Sequence, residues 1–156
     1  MKVTNLIVNI LTSLLAFSFA GTPLAIGTVG SLLSLGGARD GDLSRISFTN
    51  LFGALFVVSL SVAILVCGII AFAKRKKVSA RYYTTLEGVT IGLSFLSSII
   101  TFLLYRSLED LFEEGAVEMG IAFSVMIAIP TVVALIMTIV GAVSKPNQAP
   151  TNQSYL

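Results

Sequence analysis

The chain has 156 residues, of which 55% are apolar and 12% charged, with a mean hydropathy of +0.94. Soluble domains average roughly 45–50% apolar and 25% charged, so this composition excludes a water-soluble globule and points to an integral membrane protein. The net charge of +2 comes from one short basic cluster rather than a broad basic face, so no nucleic-acid partner is expected.

The first apolar run begins at Asn5 and is interrupted by Gly21, Thr22, Pro23 and Gly27. Crossing the hydrocarbon core takes about 20 helical residues, which places a first span over residues 4–24. Residues 27–37, rich in Gly and Ser, are expected at the outer interface. A second reading stands beside this one. Lys2, the apolar core 6–19 and Ser18-Phe19-Ala20 also fit a secretory signal peptide cleaved after Ala20, which would leave three spans in the same orientation.

A first outer loop reaches to Asn50, with residues 36–42 carrying turn chemistry. The second span covers residues 51–73 and stops at Lys74. The third covers 83–105. Leu108, Leu111 and Phe112 then recur at helical spacing, so helix 3 is expected to extend above the membrane toward Gly115. The fourth span covers 119–143 and is expected to kink at Pro130, which removes a backbone donor. Residues 1–143 therefore read as an all-α, integral membrane four-helix bundle, and the polar residues 144–156 as a disordered tail.

Charge fixes the expected orientation. Seven of the ten basic residues (Lys2, Lys74, Arg75, Lys76, Lys77, Arg81 and Lys145) fall on one side of the spans. Seven of the eight acids (Asp40, Asp42, Glu109, Asp110, Glu113, Glu114 and Glu118) fall on the other, with Glu87 the exception. Basic loops stay in the cytoplasm, so both termini are expected there, in a multi-pass protein of the plasma membrane. Lys74, Arg75, Lys76, Lys77 and Arg81 would also attract anionic lipid headgroups, at about 1 kcal/mol per basic residue. Glu87 reads as a boundary carboxylate at the start of the third helix, paired with Arg81 or the lysine cluster.

Small residues recur every fourth position in every span. In lipid, helices associate by close packing of such residues. The candidate packing positions are Gly88 and Gly92 in the third span, Ala63, Cys67 and Ala71 in the second, and Gly120, Ser124 and Ala128 in the fourth. Ala16 and Ala20 close the first. Thr90, Ser94, Ser97, Ser98 and Thr101 could line a path between copies. The outer acids spread around a helix rather than converging, so a solvated loop fits them better than a calcium site. Ser154, Tyr155 and Leu156 have the Ser/Thr-x-apolar form of a C-terminal ligand for a PDZ-type partner.

No catalytic constellation is present, and the chain has no histidine, the commonest general base and metal ligand. The single cysteine, Cys67, cannot form a disulfide within the chain. No enzyme activity and no cofactor are expected. Four spans with a longer first outer loop resemble the plan of claudins and MARVEL-type proteins. Claudins carry a Trp and two Cys in that loop, and this chain has neither there, so the likeness is one of topology only. The expected function is that of a non-enzymatic tetraspan that supports a membrane assembly, as a homo-oligomer or within a larger complex. The alternative is a small oligomeric channel or transporter subunit.

Overall fold

The computed structural model describes residues 2–36, 41–74, 79–109 and 115–143. Four helices account for nearly all of them: α1 Lys2–Leu35, α2 Gly41–Lys74, α3 Ala80–Ser107 and α4 Ala116–Val143. All four contain stretches long and apolar enough to cross a membrane, and no strand occurs among the described residues.

The helices form a bundle in which neighbours run antiparallel. The Ser13 hydroxyl donates to the Ser61 carbonyl, pairing α1 with α2. The Asn50 amide donates to Ser107 Oγ, pairing α2 with α3. The Ser98 hydroxyl donates to the Ser124 carbonyl, pairing α3 with α4, and the Asn5 amide reaches Thr138 Oγ1 to close α4 on α1. Across the middle, α1 and α3 meet in parallel, while among the described residues no Cα of α2 comes within 8 Å of one of α4.

Helix ends differ from the expected ones, for identifiable reasons. α1 continues past residue 24 to Leu35 with Pro23 inside it, and α2 begins at Gly41 rather than near residue 51. Gly27 and Gly30 act as contact points and not as breakers. A side chain at Gly27 would strike the Leu51 backbone, and one at Gly30 would strike Ser47, so the missing Cβ atoms are what bring these two helices together. Each of α1 and α2 has 34 residues, about 51 Å of helix, against a hydrocarbon core of about 30 Å. Because Asn50 is level with Ser107, the α1–α2 hairpin runs on beyond the end of α3.

At its start α3 is capped by Ser79, whose hydroxyl accepts from the Tyr82 N–H at 3.3 Å. It ends at Ser107 and does not continue as expected. The chain turns through Leu108 and Glu109, which buries Leu108 against Tyr105 and Ala116. Gly115, with φ of 109°, occupies a backbone region that favours glycine and leads into α4. α4 runs as one helix through Pro130.

Candidate functional site

The bundle interior is polar along much of its length. Helical residues advance about 100° each, so spacings of three and four share a face. On α3 that face carries Glu87, Thr90, Ser94, Ser97, Ser98 and Thr101, all buried. The stretch from Glu87 to Thr101 covers about 21 Å, most of a hydrocarbon core. α1 contributes Asn5, Asn9, Thr12 and Ser13, α2 contributes Ser61, and α4 contributes Thr131, again all buried.

Most of these hydroxyls are satisfied locally. Thr12, Ser61, Thr90, Ser94 and Thr131 each donate to the carbonyl one turn back on their own helix. Ser13 and Ser98 instead donate across to a neighbouring helix. Ser97 Oγ and Thr101 Oγ1 are buried without a partner. The hydroxyl row expected to line a path between copies is therefore spent inside a single chain, because lipid excludes it from the outer surface.

Glu87 is the feature that most changes the reading. It is 1% exposed, and the Asn9 amide donates to its Oε2 at 3.2 Å. The expected pairing with Arg81 does not occur: Arg81 and Lys74 are exposed, and the Lys74 ammonium lies over the Tyr82 ring, 6.0 Å from its centroid. Glu87 sits about 9 Å along α3 from Arg81, turned inward on the polar face of the bundle, while Arg75, Lys76 and Lys77, the other expected partners, lie outside the described residues. Sequence reasoning also passed over Asn5 and Asn9. Their one-turn spacing was a signal, but both lay near the expected end of the first span.

The small residues divide into two sets. Gly120 is buried, and a Cβ there would lie 2.6 Å from Tyr105 Cβ. Ala71 is buried, while Ala63, Cys67, Ser124 and Ala128 are half-buried. Ala16 and Ala20 are fully enclosed with Val57, Leu104 and Ile127. Gly88 and Gly92 do not pack within the bundle as expected: both are exposed, and nothing lies within 4 Å of a Cβ built on either. Each follows an inward residue, Glu87 or Ile91, and is rotated about 100° away from it.

Among the described residues no group of His, Cys, Asp and Glu converges as a metal site would. Arg75, Lys76, Lys77, the outer-loop core around Asp40 and Asp110, and the terminal Ser154, Tyr155 and Leu156 lie outside the described residues.

Four long apolar helices around a hydrogen-bonded polar interior are the make-up of a multi-pass helical membrane protein. No protein-family model matches the chain, and searches of curated proteins and of solved structures return no significant match.

Proposed function

We propose that the chain is a non-enzymatic tetraspan that works as a subunit of a larger membrane assembly, with a second copy or another membrane protein docked on the outer face of α3. The observation that carries this reading is the position of Gly88 and Gly92. They are small and face away from the bundle, with no described atom beyond their own stretch of helix within 4 Å of either Cβ position. In lipid such a face lets a second helix backbone approach closely. The chain's own helices are meanwhile joined by its internal hydrogen bonds, so the glycines are not needed to hold the monomer.

The basic end of the bundle faces the cytoplasm in this reading, since positive loops resist translocation, and the basic cluster meets anionic headgroups there. The terminal Ser154-Tyr155-Leu156 is then accessible to a PDZ-type partner.

Changing Gly88→Leu and Gly92→Leu together tests the reading by mass measurement of the intact assembly in mild detergent. The expected result is loss of the higher species with monomer thermal stability unchanged. An identical distribution of species would assign this face to lipid alone.

A second reading, a small transporter subunit, is favoured by the carboxyl of Glu87 inside the bundle, since intramembrane carboxyl groups commonly serve ion or proton pathways. Liposome flux that disappears with Glu87→Gln would select it.

A further inference from the structure

A buried carboxylate needs a positive charge near it, and among the described residues the side chains around Glu87 supply none. Removing an ionised carboxylate from water is costly unless it is paired. Glu87 is 1% exposed and Asn9, its hydrogen-bond donor, 2%. The Asn9 amide is neutral, so it orients the carboxyl without balancing its charge.

The surroundings can be taken helix by helix. On α1, Asn5 lies one turn from Asn9, so the two share a face. Asn5 is 3% exposed. Its amide donates to Thr138 Oγ1 of α4 at 3.3 Å, while its own Oδ1 is buried with no hydrogen-bond partner. From α2 comes Gly68, whose Cβ position is 3.0 Å from Asn9 Cβ, so the absent side chain makes room for the amide. On α3, Tyr83 lies one turn toward the basic end. None of these groups is a cation. The described cations nearest in sequence, Lys74 and Arg81, are exposed.

We propose that Glu87, Asn9 and Asn5 form an intramembrane site for one alkali cation, entering from the basic end of the bundle. Glu87 supplies the negative charge. The unpartnered Asn5 Oδ1 is a neutral oxygen of the kind a cation attracts. Asn9 holds the carboxyl in place. On the outer side lies the apolar cluster of Val8, Ile91 and Ala134, with Phe95 against it, and the hydroxyls beside it, Thr12, Thr90, Ser94 and Thr131, are engaged with carbonyls of their own helices. The basic end lies only about 9 Å from Glu87 along α3. This site rests on the membrane-spanning bundle and not on the assembly face, so its failure would leave the Gly88–Gly92 reading standing.

The test is thermal unfolding of the full chain in lipid nanodiscs, in sodium, potassium or N-methylglucamine chloride at equal ionic strength, over a range of pH. A ligand that binds only the folded state raises the unfolding temperature with its concentration. The wild-type protein is expected to respond to cations and Glu87→Gln to lose that response. A rise with sodium or potassium at fixed pH identifies an alkali ion. A rise only on acidification, equal in all three salts, overturns the proposal. Titration of the outer acids is common to both proteins and cancels in the comparison. Should Glu87→Gln fail to fold, Asn9→Ala replaces it and is expected to move the half-saturating cation concentration. A wild-type protein indifferent to cations and pH overturns the proposal, because a lysine of the chain would then be balancing Glu87. So does an unaltered response in Glu87→Gln, or an unmoved midpoint in Asn9→Ala.

Discussion

The Tyr105 hydroxyl donates to the Phe19 carbonyl at 3.1 Å, and Phe19 is the residue one turn before Pro23. Proline has no N–H, so the carbonyl four residues back loses its helical donor. α3 supplies the replacement from across the bundle, through a side chain that is 1% exposed. The same ring packs edge-on to Phe123 of α4, with centroids 5.1 Å apart, so Tyr105 joins α1, α3 and α4.

This relationship gives a double-mutant prediction. Tyr105→Phe keeps the ring and deletes the donor, and should cost about 0.5–1.5 kcal/mol. Pro23→Ala restores an N–H that can satisfy Phe19 from within α1. In that background Tyr105→Phe should cost clearly less, as read by unfolding in mixed micelles. Equal costs in both backgrounds would mean that the hydroxyl is not serving the proline gap.

Adjacent serines on α3 should respond with opposite sign. Ser98 donates to the Ser124 carbonyl of α4 at 2.8 Å, whereas Ser97 Oγ is buried without a partner. Ser98→Ala removes an interhelical bond, worth about 0.6–2 kcal/mol in membrane proteins. Ser97→Ala replaces an unsatisfied hydroxyl by a methyl group and should be neutral or stabilising. Similar losses at both positions would contradict this assignment of partners.

The existence of four spans was legible in the sequence because each is a run of about 20 or more predominantly apolar residues, which is what a bilayer demands. Where the helices end was less legible. Gly27 and Gly30 read as punctuation, yet they are contact glycines that need Leu51 and Ser47 opposite them, and nothing local announces that partner. The face turned inward was also hidden. Gly88-x-x-x-Gly92 marks a narrow side of α3 but does not say which way it looks. The competing row from Thr90 to Thr101 took the interior because hydroxyl groups gain more by leaving lipid than glycines do. Glu87 looked like a boundary charge because Arg81 is close in sequence, while Asn9, 78 positions away, is the residue that holds it.

Orientation is open to direct measurement. The charge partition predicts that the loop holding Val78 and the segment holding Gln148 are cytoplasmic, and that Gly41 is outside. Single cysteines by Val78→Cys, Gln148→Cys or Gly41→Cys, in a Cys67→Ser background, would be treated with an impermeant thiol reagent on intact cells. Only Gly41→Cys should label. Labelling of Val78→Cys from outside would reverse the topology.

Two glycine-to-alanine changes should separate helix contacts made within the chain from a surface left open. At Gly27 an added Cβ would lie 2.7 Å from Leu51 Cα and still nearer the Leu51 backbone nitrogen. No rotamer change relieves a clash with backbone, so α1 and α2 must move apart along the hairpin. Overpacking of this kind costs typically 1–3 kcal/mol, and Gly27→Ala is expected toward the upper end. At Gly88 the same methyl group meets nothing within 4 Å. Alanine is a better helix former than glycine by about 1 kcal/mol in water, so Gly88→Ala should leave the monomer unchanged or stabilise it slightly. Both variants would be unfolded at concentrations low enough to hold the chain monomeric. If Gly27→Ala is as stable as the wild-type protein, α1 and α2 are not in backbone contact at that level and the long hairpin is wrongly drawn. If Gly88→Ala destabilises the isolated monomer, the outer face of α3 is not open, and the assembly surface proposed there is lost with it.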